Sequence, residues 1–167
     1  MEFRRHRGIL VKDIYSITKK FGEDAFRKSS YKELYRFILD HNIKGDVCYE
    51  IGTLNGITAI ILSRYFRKVI SVDIKESPDR AKIIDYIGVK NIEFRIINEE
   101  KDIPDEYDFA YVDGNRVDAK HDFEIVKKCG RVLFHDYYEN EPVWHLMKTL
   151  PKEETIIQPP MAYWCAR

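Results

Sequence analysis

The stretch Val47-Cys-Tyr-Glu-Ile-Gly-Thr-Leu-Asn-Gly56 decides the fold prediction. Its first five residues form a short, mostly apolar run, which is typical of a buried strand. The glycines that follow predict a sharp turn, and the amphipathic stretch from Ile57 to Phe66 predicts a helix after it. A strand, a glycine-containing turn and a helix are the opening unit of doubly wound α/β proteins.

The rest of the chain repeats this alternation of short apolar runs and amphipathic stretches. Further strands are predicted at residues 69–73, 92–97, 109–113 and 131–134, and helices at residues 31–41, 118–128 and 142–150. Ser77 and Pro78 predict the start of another helix, because proline is favoured at the first helical position. Residues 155–157 and 162–165, separated by Gln158-Pro159-Pro160, predict a terminal antiparallel hairpin.

This order of elements predicts one α/β domain of the Rossmann-like, doubly wound kind. We expect a mainly parallel seven-stranded sheet that ends in a C-terminal antiparallel hairpin, with helices on both faces. Within residues 1–167 we expect an N-terminal helical extension (1–30), a cofactor-binding core (31–138) and a C-terminal helix with the hairpin (139–167).

Bulk composition narrows the function classes. The 28 Lys and Arg residues balance the 28 Asp and Glu residues, so no overall field favours a nucleic-acid partner. Three scattered cysteines fit neither a disulfide framework nor a zinc cluster, and a reducing compartment suits them. No apolar run approaches the length of a membrane span, and Lys12 and Asp13 exclude a signal-peptide core. We therefore expect a cytoplasmic protein with no membrane partner.

Polar side chains end each of the first five predicted strands. They are Glu50, Asp73, Asn98, Asp113 and the pair His135-Asp136. The carboxyl ends of parallel strands meet at one edge of the sheet, where α/β proteins bind their ligands. We expect the functional site to be built from these residues.

The glycine turn and Asp73 together indicate an adenosine-containing ligand. Asp73 follows Gly52 by 21 residues, a spacing at which an acid accepts hydrogen bonds from ribose hydroxyls. Nicotinamide enzymes share this device. However, Leu54 occupies the position where their fingerprint has its second glycine, the one that lets a pyrophosphate approach the backbone. An alternative is that the glycines only form a turn and Asp73 only caps the segment after it.

The pattern E-x-G-x-x-x-G from Glu50 to Gly56 resembles motif I of class I S-adenosylmethionine-dependent methyltransferases. The resemblance implies that S-adenosylmethionine is the cofactor and that Asp73 holds its ribose. It further implies that Ile74 lies against the adenine and Asn98 near the base edge, with Asp113 also close to the cofactor. The residues implied for the methionine end are Glu50, Gly52, Thr53, Asn55 and Gly56. The ligand's carboxylate would suit a helix N-terminus, and its ammonium a nearby acid.

The segments Tyr107–Arg116 and Gly130–Tyr137 resemble a more specific group of small methyltransferases. In that group the fourth strand ends D-G-x-H and the fifth ends H-D-Y or D-D-Y, and its relatives include the catechol and macrocin O-methyltransferases. The resemblance implies a small-molecule acceptor. This chain departs from the group at Arg116, where histidine is usual, and at Asp118, where an aromatic residue is common.

Asp113, His135 and Asp136 are the predicted catalytic residues. In the metal-dependent relatives, acids at the positions of Asp113 and Asp136 bind Mg²⁺, which grips the acceptor hydroxyl. Imidazole beside carboxylates also suits Mn²⁺, Fe²⁺ or Zn²⁺. A second interpretation makes His135 a metal-free general base. A third leaves His135 and Asp136 as mutually satisfied polar groups.

The leading hypothesis is methyl transfer from S-adenosylmethionine to an oxygen, or less readily a nitrogen, of a small molecule. Three alternatives stay open: an RNA or protein methyltransferase, a non-catalytic S-adenosylmethionine-binding protein, and a nicotinamide-dependent oxidoreductase. Leu54 counts against the last of these. A homodimer would complete a shallow pocket in so short a chain.

Overall fold

The fold is described by a computed structural model over residues 2–26, 29–97, 103–104, 106–114 and 118–166. The strands are β1 (Gly45–Ile51), β2 (Phe66–Asp73), β3 (Ile92–Ile96), β4 (Phe109–Val112), β5 (Arg131–Phe134), β6 (Thr155–Gln158) and β7 (Met161–Cys165). The α-helices are α1 (Glu2–Phe21), α2 (Tyr31–His41), α3 (Ile57–Leu62), α4 (Arg80–Ile87), α5 (Ala119–Val126) and α6 (Pro142–Met147).

The seven strands form one sheet in the order β3-β2-β1-β4-β5-β7-β6. The first five strands run parallel to one another, and β7 pairs antiparallel with both β5 and β6. Strand order reverses beside β1, where the chain passes from the β2–β3 side to the β4–β5 side. This arrangement confirms the predicted doubly wound α/β fold with a C-terminal antiparallel hairpin.

Both faces of the sheet are covered, as its sequence pattern requires. In β4, Phe109 and Tyr111 point to one face and pack with α2 and α3. Ala110 and Val112 point to the opposite face and pack with α5 and α6. Successive side chains of a strand alternate between faces, so a strand that is buried on both sides is apolar throughout.

Helix α1 reaches the sheet through a third apolar cluster. Ile17 packs with Ile57 and Ile60 of α3 and with Ile83 of α4. A short 3-10 helix, Glu23–Phe26, then brings the carbonyl of Ala25 to 3.1 Å from the Asn55 amide nitrogen, which donates to it. The segment before α2 is therefore attached to the glycine turn.

Several predicted element ends were wrong. Helix α3 ends at Leu62, and Phe66 belongs to β2, where it is buried and pairs with Gly45. Helix α4 begins at Arg80 with Asp79 as its N-cap, because the Ser77 hydroxyl donates to the Asn55 side chain instead. Helix α5 begins one residue after Asp118, which accepts the His121 N–H as its N-cap, and ends at Val126. Helix α6 ends at Met147, before the predicted residue 150.

None of the helices in the described ranges combines the length and the apolarity that crossing a membrane requires.

Candidate functional site

A cleft of about 1060 Å³ lies along the carboxyl edge of the sheet. Four of the predicted strand-end residues line it: Asp73, Asp113, His135 and Asp136. Glu50 lies behind the cleft wall and is fully buried. Asn98 and Arg116 lie outside the described residues.

The glycine turn forms the floor of the cleft, and its close packing against β4 requires Gly52. The φ angle of Gly52 is +92°, and a Cβ atom there would lie 2.3 Å from the carbonyl oxygen of Asp113. Gly56, with φ of +79°, directly precedes α3, and a Cβ there would lie 3.3 Å from Phe94. The first glycine is thus required by backbone packing within the protein as well as by the turn.

Asp73 organises the same turn through three backbone hydrogen bonds. Its Oδ2 accepts the N–H of Thr53 at 3.1 Å and of Leu54 at 2.9 Å, and its Oδ1 accepts the N–H of Ile74 at 2.8 Å. An ionised carboxylate has about four acceptor positions. Asp73 is part-exposed in the cleft, so it retains capacity for a hydroxyl donor.

Glu50 is a fully buried carboxyl group beneath the turn. Ser71 donates to its Oε2, and the Ser71 and Thr53 hydroxyls lie 2.7 Å apart. Its Oε1 is also buried and receives no hydrogen bond from the described residues. Burial raises the pKa of Glu50 from 4.5 to about 8, against the opposing effect of the Ser71 and Thr58 hydroxyls.

This shifted pKa predicts how stability depends on pH. The unfolded chain ionises Glu50 near pH 4.5, whereas the folded protein keeps the proton up to about pH 8. The stabilising effect of the proton is therefore complete below pH 4.5 and is lost as the pH rises to about 8. We expect Glu50→Gln to abolish this loss, so that the variant exceeds the native protein by about 3 kcal/mol in unfolding free energy near pH 7.

Urea unfolding of both proteins across this pH range measures the effect. Glu139→Gln, at an exposed position, is the matched control, and its unfolding free energy should depend on pH as that of the native protein does. If the unfolding free energies of the native protein and Glu50→Gln change with pH in parallel, Glu50 is ionised in the folded protein across the whole pH range measured.

A second group of titratable side chains gathers at the ends of β4 and β5. His135 Nδ1 lies 3.0 Å from Asp136 Oδ1 and 3.3 Å from Asp113 Oδ1. Asp136 has a left-handed φ of +63°. Burial opposes protonation of His135, but the hydrogen bond and charge of Asp113 and the charges of Asp136 and Glu33 outweigh it, so the pKa of His135 is raised.

Two residues that sequence reasoning missed hold the other side of Asp113. Its Oδ2 accepts the Ser30 hydroxyl at 2.5 Å and the Tyr111 hydroxyl at 3.1 Å, and these two hydroxyls lie 2.5 Å apart. Tyr111 is two residues before Asp113 on the same face of β4, so strand alternation could have found it. Ser30 lies 83 residues from Asp113 and left no such signal.

Asp113, His135 and Asp136 together have the composition of a cation site. One ligand atom from each residue lies within 4.8 Å of the other two. Two carboxylate oxygens and one imidazole suit a divalent cation of the Mg²⁺ to Mn²⁺ class, with the nitrogen favouring the latter. The same group can instead accept a proton through His135.

Three isoleucines that sequence reasoning missed also line the cleft. Ile97, Ile103 and Ile125 line it, together with His121 and Asp122 from the first turn of α5. Burial raises the pKa of the Asp122 carboxyl from 3.8 to about 6. Ile74 lies on the cleft wall with 77% of its surface exposed, so a flat ligand would find an apolar surface there.

No protein-family model matches the chain, and no curated protein matches it in sequence. Solved structures do match it in fold. A tRNA (m1A58) methyltransferase from Aquifex aeolicus aligns with a TM-score of 0.63 at 19% identity, covering 80% of this chain and 68% of that one. An rRNA methylase from Streptococcus thermophilus aligns with a TM-score of 0.60 at 13% identity, covering 81% and 96%.

A third similar structure is a candidate methyltransferase from Streptococcus mutans in complex with SAH (S-adenosylhomocysteine). It aligns with a TM-score of 0.59 at 17% identity, covering 79% of this chain and 94% of that one. At these identities the likeness establishes the fold, which is the Rossmann-like fold of methyltransferases. The acceptors of the similar proteins differ from one another.

Proposed function

We propose that this protein is an S-adenosylmethionine-dependent methyltransferase that transfers the methyl group to an oxygen of a small molecule. One observation carries the proposal. The glycine turn with Asp73 and the Asp113–His135–Asp136 group, here called the donor end and the acceptor end, line a single cleft and adjoin where Gly52 packs against Asp113. A donor bound at the first end would present its methyl group to an acceptor held at the second.

The donor end fits S-adenosylmethionine in three respects. Asp73 has acceptor capacity for ribose hydroxyls, and the isoleucine side chains that line the cleft suit an adenine ring. Glu50 has a buried oxygen without a donor, and it reaches the turn through the Ser71 and Thr53 hydroxyls. We propose that Glu50, which is neutral in the free protein near pH 7, ionises when the donor binds and then favours the donor's ammonium group from behind Gly52, with Asn55 and Gly56 shaping the rest of the subsite.

The donor supplies an electrophilic methyl group on a sulfonium, and the protein supplies alignment. We propose that His135 accepts the proton of the acceptor hydroxyl, while Asp136 and Asp113 orient the imidazole and stabilise its charged form. Ser30 and Tyr111 hold Asp113 in place. If Mg²⁺ or Mn²⁺ binds, Asp113 and Asp136 would be its ligands, and the cation would lower the hydroxyl's pKa.

An RNA acceptor is the second candidate function. It is supported by the similar folds of an rRNA methylase and a tRNA methyltransferase. The balanced charge of the chain counts against it, because RNA-binding proteins depend on basic surfaces. Salt-sensitive binding of RNA would favour this alternative.

The direct test is calorimetric titration with S-adenosylmethionine, S-adenosylhomocysteine and NAD, each with and without Mg²⁺ or Mn²⁺. We expect micromolar binding of both adenosyl ligands and none of NAD. Absence of adenosyl binding under every condition would overturn the proposal. Binding of NAD alone would replace it with an oxidoreductase.

Asp73→Ala should weaken S-adenosylmethionine binding about 100-fold, because charged hydrogen bonds of this kind contribute about 1.5–3 kcal/mol each. Calorimetry measures the change. Asp79→Ala is the matched control: the Asp79 side chain is exposed and makes no capping hydrogen bond to α4, so its loss should leave the affinity unchanged. Asp73→Asn keeps an oxygen that can accept the N–H groups of the turn but loses the charge. If this variant binds S-adenosylmethionine with native affinity, the role of Asp73 is only to organise the turn.

A further inference from the structure

We infer that Glu33 selects acceptors that carry a positive charge, an ammonium or a guanidinium group, at a distance from the hydroxyl that receives the methyl group. The inference rests on the proposed function, because it assigns the acceptor class of the same cleft. It identifies Glu33 as a specificity-determining residue that the sequence pattern did not indicate.

Glu33 belongs to the acceptor end of the cleft. It lies in the first turn of α2, three residues after Ser30, and its half-buried side chain lines the same cavity as Asp113 and His135. Tyr138 and Pro160 line this end as well. Glu33 is therefore positioned to meet a part of the acceptor away from the reacting oxygen.

Within the described ranges, no side chain donates a hydrogen bond to Glu33 or forms an ion pair with it. The acids around it differ in this respect. Asp113 has Ser30, Tyr111 and His135 as partners, and Asp136 has His135. The charge of Glu33 acts on His135, but the described residues give it no direct ion pair, so this half-buried carboxylate gains from a ligand cation in contact with it.

Glu33 could instead have a purely structural role, because an acid in the first turn of a helix interacts favourably with the helix dipole. That interaction contributes about 0.3–1 kcal/mol and is equally available to an acid on the outer face of the helix. It does not explain why the carboxylate faces the cleft. A direct test must therefore separate ligand selection from helix stability.

The sum of charges at this end favours a cation under either mechanism. Among the described residues that line the cleft, five are acids and one is a lysine, Lys75, so the acids outnumber the cations even when His135 and His121 are both protonated. A divalent cation at Asp113 and Asp136 would neutralise those two acids and leave Glu33 uncompensated. Acceptors with a carboxylate or phosphate would be repelled in both cases.

The charged group of the acceptor takes no part in the bond changes. A lone pair of the acceptor oxygen forms the new bond to the methyl carbon, and the carbon–sulfur bond breaks with its electron pair returning to sulfur. S-adenosylhomocysteine leaves, and the hydroxyl proton passes to His135. The ammonium or guanidinium group contributes binding energy through Glu33, so it should lower KM and leave kcat nearly unchanged.

The test uses two series of hydroxyl compounds that differ only in charge: tyramine, tyrosol and hydroxyphenylacetate, and ethanolamine, ethylene glycol and glycolate. Ligand-observed NMR measures their binding to protein saturated with S-adenosylhomocysteine, and release of that product from S-adenosylmethionine measures turnover. We expect the ammonium member of a series to bind about tenfold more tightly than the carboxylate member. Glu33→Gln should remove this preference and Glu33→Lys should reverse it, whereas exposed Glu139→Gln should keep it.

The outcomes separate this inference from the proposed function. If S-adenosylhomocysteine binds but neither series shows a charge preference, or if Glu33→Gln keeps the preference, the assignment of Glu33 is overturned and the methyltransferase proposal stands. Tighter binding of the anionic members or of RNA would overturn it in the same way, as would absence of binding by every member. Failure to bind S-adenosylhomocysteine would overturn both. A melting temperature near native in each variant excludes a purely structural effect.

Discussion

Replacing Asp113 and Asp136 together by alanine should reduce methyl transfer at least about 1000-fold, because the variant loses the groups that orient and charge His135 and those that would hold a cation. Binding of S-adenosylhomocysteine should stay within about threefold of native if, as we propose, these acids act on the acceptor. Product release with the best acceptor of the charge-matched series measures the first effect, and calorimetry the second.

The matched control replaces two exposed acids, Asp46 and Asp85, by alanine. It changes the net charge equally and should leave turnover intact. Collapse of donor binding in the Asp113–Asp136 variant would move these acids to the donor site. Retention of turnover would reduce them to a structural pair at the strand ends.

Gly52→Ala should both destabilise the fold and eliminate donor binding. A methyl group there would lie 2.3 Å from the Asp113 carbonyl oxygen, and alanine is strained at a φ of +92°. The backbone of the turn must move away from β4, which we expect to cost about 3 kcal/mol or more and to weaken S-adenosylmethionine binding more than about 100-fold.

Gly88→Ala separates the two causes of this effect. Gly88 has a similar φ of +71°, but a Cβ atom there would meet nothing within 4 Å. The Gly88→Ala variant should lose about 1 kcal/mol of unfolding free energy, which is the cost of the left-handed backbone alone, and should bind the donor normally. Equal losses in the two variants would show that φ alone matters at Gly52 and that the contact with Asp113 does not. Chemical unfolding and calorimetry measure both.

Strand positions could be predicted because each strand that the sheet buries is a short apolar run ending in a polar residue. Asp73, Asp113 and His135-Asp136 followed from that rule, and the structure brings them to one cleft. Helix ends were harder. Phe66 fits the helical spacing of the stretch before it, yet pairing with Gly45 places it in β2. The local sequence pattern cannot show whether an apolar residue such as Phe66 ends a helix or begins the next strand.

Ser30 and Glu33 could not be found in the sequence for a different reason. Their role comes from where α2 begins relative to β4, and that relation joins residues about 80 positions apart. Ser77 illustrates the converse: a good capping residue is used for a tertiary contact with Asn55, and the N-cap position of α4 falls on Asp79, whose side chain makes no capping hydrogen bond. Packing between residues far apart in the sequence determines these roles, so the local sequence pattern does not predict them.

Leu54 is a residue of the glycine turn with a strained backbone conformation. Its φ is +45°, a left-handed conformation that glycine adopts freely and leucine adopts at a cost of about 1–2 kcal/mol. The two N–H bonds from Thr53 and Leu54 to Asp73 hold it there. The Leu54 side chain lines the cleft and is 39% exposed. We therefore expect dinucleotides to be disfavoured, because a pyrophosphate would have to displace the Leu54 side chain before it reached the backbone amides, and two of those amides already donate to Asp73.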